Sequence, residues 1–249
     1  MRRMLWAVLL VGCLLASVCG CQSARDGGDA APQVGKVGDC YGESSSEPIS
    51  CSLAHTAETL FVKDAAPPAG DTSAALMPCR EAAARYLGQD FNTRLDVKLW
   101  VAGDLSWYRC DVLLRESTQG GSGYQTLTGS LKGVLDHGAS VDIQSCLSEP
   151  YDPDGDQVYV PCSEPHIAQE LVQAPAIGTV DEKYPVDIAR RAARACNAAA
   201  SASHLSGPRR LVKAYYPENA DAWASGERTA DCWVTARKGV LPPVTGRGS

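Results

Sequence analysis

Ile49-Ser50-Cys51-Ser52-Leu53-Ala54-His55-Thr56-Ala57-Glu58 and Val160-Pro161-Cys162-Ser163-Glu164-Pro165-His166-Ile167-Ala168-Gln169 are two readings of one pattern, a histidine four residues after a cysteine with Ala-Glu or Ala-Gln following. Outward from these stretches the cysteines keep the same order. Cys40, Cys51, Cys79 and Cys110 are spaced by 11, 28 and 31 residues, and Cys146, Cys162, Cys196 and Cys232 by 16, 34 and 36. Cys79 and Cys196 each lie in an Ala/Arg-rich stretch. Arg94–Lys98 pairs with Arg209–Lys213, Trp107–Val112 pairs with Thr229–Val234, and Leu127–Ser130 has a shortened echo in Val244–Gly246. Self-similarity of this kind predicts an internal repeat, divided at about His137.

Helix and strand periods give the content of each repeat. Ala74–Leu87 and Val186–Ala202 are rich in strong helix formers, with Asp71, Thr72 and Ser73 as candidate N-caps for the first and Pro185 suited to the first turn of the second. Pro78 shifts the expected start of the first helix toward itself. Leu95–Val101, Tyr108–Leu114, Leu211–Tyr216 and Cys232–Thr235 carry the alternating, β-branched or aromatic residues of half-buried strands. The expected fold is α+β: two tandem disulfide-stapled repeats, each a small, mostly antiparallel sheet covered by one principal helix.

Eight cysteines allow 105 pairings, and confining bonds to each repeat leaves about nine. The preferred set joins Cys40 to Cys51, Cys79 to Cys110, Cys146 to Cys162 and Cys196 to Cys232. A closed loop of about 30 residues is worth roughly 3–4 kcal/mol in the chain-entropy model, a useful amount for a module with few aromatics.

The first twenty residues read as an export address. Arg2 and Arg3 precede an apolar run, Leu5–Val18, which is shorter than the roughly 20 residues a spanning helix needs. Val18-Cys19-Gly20-Cys21 resembles a bacterial lipoprotein processing site, with Cys21 as the lipidated residue, although Cys19 is unusual at its position. A plain secretory signal is the alternative. Gln22–Pro32 is too poor in apolar side chains to order itself and reads as a tether. The expected organisation is residues 1–20 signal peptide, 21–32 flexible tether, 33–137 first repeat and 138–249 second repeat. With 23 basic and 29 acidic residues the net charge is -6, which leaves no basic stripe for nucleic acid.

Taken together, Gly38-Asp39-Cys40, Cys51-x3-His55-x2-Glu58, the Ala-rich cysteine helix, the Trp/Tyr-flanked Cys110 and Leu127-Thr128-Gly129-Ser130 resemble the septum formation domain of actinobacterial envelope proteins. The second copy carries the clearest signature, Val160–His166. Two departures stand out: Cys146 lacks the preceding Gly-Asp, and Gln169 replaces Glu58. The resemblance implies a link to cell division and carries over no catalytic residues.

Candidate chemistry is thin. His55 and His166 could present imidazole to a metal, but the second copy lacks the carboxylate and oxidised cysteines are not ligands, so a structural role is expected and no metal or cofactor. Asp152-Pro153-Asp154-Gly155-Asp156 begins like a calcium loop, but Gln157 replaces the turn glycine and Ser163 the twelfth-position glutamate, which favours a solvated turn. Gly120–Tyr124 is not a nucleophile elbow. Trp100, Trp107, Trp223 and Trp233 read as core more than as a ligand platform, and His137 and His204 as surface residues. The expected function is that of a non-enzymatic envelope lipoprotein, membrane-bound through its lipid and binding a protein or cell-wall partner in division or envelope biogenesis. The alternative is a small-ligand or metal-binding surface lipoprotein with its site between the repeats. A wall hydrolase would need a hidden carboxylate or histidine site.

Overall fold

The computed structural model describes residues 34–43, 47–68, 75–89, 92–117, 123–179, 181–224 and 226–248. The expected signal, Cys21 and the tether at 21–32 lie outside the described residues, as do the candidate caps Asp71, Thr72 and Ser73. Eleven elements follow in chain order: β1 (Cys40–Tyr41), β2 (Ala57–Lys63), α1 (Leu76–Leu87), β3 (Leu95–Val101), β4 (Tyr108–Leu114), β5 (Cys146–Leu147), β6 (Ala168–Glu170), α2 (Ile188–Ala202), β7 (Arg210–Tyr215), α3 (Ala220–Ala224) and β8 (Asp231–Ala236). They form two antiparallel four-stranded sheets, ordered β1-β2-β4-β3 and β5-β6-β8-β7.

Strand alternation explains which residues face the helices. In β4 the even positions Cys110, Val112 and Leu114 join Leu95, Val97 and Leu99 of β3 beneath α1, where Cys79, Ala82, Ala83 and Leu87 complete the core. α2 offers Ile188, Ala192, Cys196 and Ala200, spaced by four, to Val212, Cys232 and Val234. The helices begin two residues later than their composition suggests. Pro78 falls in the first turn of α1, where its missing N–H costs nothing. Asp187 precedes α2 but makes no side-chain capping bond; its carboxylate is taken by Arg190 and Arg191 at 2.8 and 2.9 Å. α3 is an element that the sequence reading did not anticipate, so the second half carries more than one helix.

Four disulfides staple these layers: Cys40–Cys51, Cys79–Cys110, Cys146–Cys162 and Cys196–Cys232. The second and fourth each tie a helix to the central strand below it. Residues 31–249 form one compact unit. The core under α1 takes side chains from both sides of residue 137, with Leu131 and Leu135 before it and Ala139, Ile143 and Val172 after it. Arg94, 3% exposed, locks this junction by donating its guanidinium to the carbonyls of Arg115 and Asp142. Among the described residues no helix is long and apolar enough to cross a membrane.

Candidate functional site

The two motif histidines occupy matched corners. Each backbone bridges a segment beyond its sheet: His55 N–H donates to Leu127 O at 3.0 Å and His55 O accepts from Leu127 N–H at 2.7 Å, and His166 does the same with Leu241 at 3.4 and 2.7 Å. Leu241 therefore stands where Leu127 does, three residues ahead of the echo read at Val244–Gly246. Each ring Nδ1 lies 2.8 Å from the carbonyl oxygen two residues before it, Leu53 or Glu164. A carbonyl only accepts, so Nδ1 carries a proton and donates it. Both Nε2 atoms are buried without a hydrogen-bond partner among the described residues.

Cys40, His55 and Glu58 bring Sγ, an imidazole nitrogen and a carboxylate oxygen within 4.8 Å of one another. The donor set does not suit a metal, because the Cys40 sulfur is bonded to Cys51 and both Glu58 oxygens are engaged. Tyr86 Oη and Ser130 Oγ donate to Oε1 at 2.5 Å each, and Leu131 N–H donates to Oε2 at 2.5 Å. Burial first, and then the Glu58 hydrogen bond, push the Tyr86 hydroxyl well above its usual range, so the phenol keeps its proton and donates. Glu58, fully buried, is thus the hub joining β2 to the end of α1 and to the segment after Leu127.

The opposite face of the first sheet holds a second buried network. Asp111 accepts from Arg109 at 3.1 Å and from Thr59 Oγ1 at 2.7 Å, and the Arg109 guanidinium lies 4.2 Å above the Tyr41 ring. Burial raises the Asp111 carboxyl and the Arg109 charge opposes that rise. The same face of the second sheet is aromatic: Tyr151 stacks on Trp233 at 4.5 Å and meets Tyr215 edge-on at 4.6 Å. Beside it, Glu170 is pushed up to about 8 by burial and then by the Asp231 carboxylate.

The remaining sequence candidates separate. The Asp152–Asp156 loop is exposed and closes on itself, Asp152 Oδ1 accepting from Asp154 N–H at 3.1 Å, and among the described residues its carboxylates do not gather into a ligand set. Trp223 and Trp233 are buried, Trp223 donating Nε1 to Glu182 O at 2.6 Å, while Trp100 and Trp107 are half-buried. His137 and His204 are exposed.

Two cavities stand out among the described residues. One, about 450 Å³, lies between the halves and is lined by Arg80, Leu95, Tyr215, Pro217, Glu227 and Asp231; Arg80 faces Glu227 at 3.9 Å, and Asn92 donates to Asp231 at 3.2 Å. The other, about 600 Å³, lies beside α2 over Gln169. Sequence reasoning missed both networks and the cavity beside α2, while the cavity between the halves lies where the alternative reading put a ligand site. The buried Arg109–Asp111 pair left one signal, two opposite charges at strand period in an otherwise apolar run.

A family model described as septum formation matches residues 64–232, about two thirds of the chain. The chain belongs to the septum formation family. The match is one continuous span across residue 137, where two separate copies were expected; it includes the Val160–His166 signature and begins after His55. No curated protein and no solved structure matches. Six of the disulfide cysteines of this septum formation protein, from Cys79 to Cys232, fall within the matched span.

Proposed function

We propose that this septum formation protein is a non-enzymatic lipoprotein, anchored through Cys21 at the extracytoplasmic face of the cell membrane, whose two tandem modules bind a protein or cell-wall partner in division or envelope biogenesis. The observation that carries this reading is family membership in a chain stapled by four disulfides, which fit an oxidising, extracytoplasmic location. The matched strand orders, disulfides and histidine corners support two modules of common origin. A binding role is supported by how the chemically capable groups are used: Glu58, Arg109 and Asp111 bond to their own chain, and each histidine Nδ1 holds a backbone carbonyl.

Live imaging of the full-length chain fused to an export-competent fluorophore tests the proposal, with Cys21→Ala as the anchoring control. Enrichment at new septa, and release of the variant from the membrane fraction, are expected. A uniform envelope signal would remove the division role, and unchanged fractionation of the variant would remove the anchor.

The cavity between the halves favours a second reading, a small-ligand site where Arg80, Glu227 and Asp231 supply charge. Ligand-induced melting shifts that disappear in Arg80→Ala would support it; a library screen without any shift would reject it.

A further inference from the structure

The cavity over Gln169 is the place where, in the first half, the chain inserts a ring of its own. Gln169 pairs with Cys146 and Val234 as Glu58 pairs with Cys40 and Val112, so the two side chains hold the same register position. Tyr86 stands seven residues after Cys79, and seven residues after Cys196 stands Ser203. Ser130 and Leu131 lie three and four residues beyond Leu127, the partner of His55; three and four beyond Leu241, the partner of His166, lie Val244 and Thr245. In the first half these positions close on Glu58, with the Tyr86 hydroxyl 2.5 Å from its carboxylate. In the second half all four, Gln169, Ser203, Val244 and Thr245, line an open space of about 600 Å³. The hollow therefore exists because serine stands where a tyrosine fills the equivalent place.

The floor of this hollow is chemically expectant. Gln169 is only 6% exposed, and its side-chain amide makes no hydrogen bond among the described residues. The amide atoms are not sealed from solvent, so they are offered to whatever enters the hollow, and an amide lining a cavity of ligand size can serve as a recognition group. An amide oxygen can accept a phenolic O–H as the Glu58 carboxylate does in the first half, and an amide NH2 can donate to the phenolic oxygen. Ser203 and His204 are exposed at the mouth, so a polypeptide can pass over the end of α2.

We infer that this cavity binds a phenol ring carried on a tyrosine of a partner polypeptide. The inference rests on the two corresponding corners of the fold and is independent of the division role. The test is a ligand-observed NMR titration of the oxidised full-length chain with the capped peptide Ala-Tyr-Ala, its Ala-Phe-Ala counterpart, and p-cresol. Saturable binding of the tyrosine peptide is expected, with the phenylalanine peptide about five- to ten-fold weaker for want of one hydrogen bond. Ser203→Tyr, which supplies the missing ring, should abolish binding, and Gln169→Leu should erase the preference for tyrosine over phenylalanine. In the wild type, ring protons should show NOEs to the methyls of Val244 and Leu205, a readout that needs neither variant to fold. Absence of saturable binding, binding that persists in folded Ser203→Tyr, or absence of those NOEs would overturn the site. Binding of p-cresol as tight as that of the tyrosine peptide would overturn the polypeptide source.

Discussion

Tyr86→Phe removes one oxygen and leaves the ring, so it isolates what the hydroxyl does for Glu58. The carboxylate is fully buried and receives three donors, two of them on Oε1. Deleting one donor leaves Ser130 on that oxygen and Leu131 N–H on the other, so the buried group is weakened and not orphaned. A hydrogen bond to a carboxylate is worth about 1.5–3 kcal/mol. The expected loss is therefore about 2 kcal/mol, or roughly 4–8 °C in melting temperature for a unit of this size. Urea denaturation of the oxidised chain, with the midpoint read at unchanged slope, measures it. Tyr184→Phe is the internal control: that hydroxyl donates to a neutral carbonyl, Pro217 O, at 3.1 Å and should cost about 1 kcal/mol or less. In a cycle with Glu58→Gln, which installs the residue found at 169, the tyrosine and the carboxylate should couple by about 1 kcal/mol or more. A Tyr86→Phe chain within about 0.5 kcal/mol of the parent would refute the hub.

Three further outcomes are expected. Asp111→Ala takes away the carboxylate that faces the Arg109 guanidinium in a dry interior and should cost about 3–5 kcal/mol, whereas Arg109→Met with Asp111→Leu should cost much less, both read by denaturation. Burial raises Glu170 to about 8 from an ordinary 4.5, so between those values the unfolded chain releases a proton that the folded chain keeps; the Glu170 contribution to stability should be fully present below about pH 4.5, fall as pH rises toward 8 and then level off. Glu170→Gln should flatten that decline, and an identical pH profile would disprove the assignment. His55→Ala should lower the melting temperature by removing the Nδ1 bond to Leu53 O, while excess zinc leaves the parent's melting temperature unaltered because Cys40 is oxidised.

Much of the fold was legible because its constraints are local or evenly spaced. The two similar runs of four cysteines confined the bonds to each run and left about nine pairings, of which the preferred one is the set in the structure. Alternation in Leu95–Val101 and Tyr108–Leu114 marked the strands because only one face meets a helix. The Glu58 hub was invisible for the opposite reason: its donors Tyr86 and Ser130 are 28 and 72 residues away, and nothing near Glu58 announces them. Gln169 was seen as a lost carboxylate and a departure from pattern. Its meaning emerged only when Ser203 and Val244 were brought around it, which requires the fold.

The strand order has a consequence for life in a crowded compartment. In both sheets the pair in the middle, β2 with β4 and β6 with β8, spends its backbone groups inward, and the outer positions fall to β1 and β5, two residues each, and to β3 and β7. The longer outer strands each set an exposed lysine at the same register, Lys98 opposite Asp111 and Lys213 opposite Trp233. Short edges and edge lysines are how sheet proteins discourage strand-by-strand addition of further copies. Exchanging both lysines for valine should leave the sheets intact and raise the tendency of copies to add to one another strand by strand.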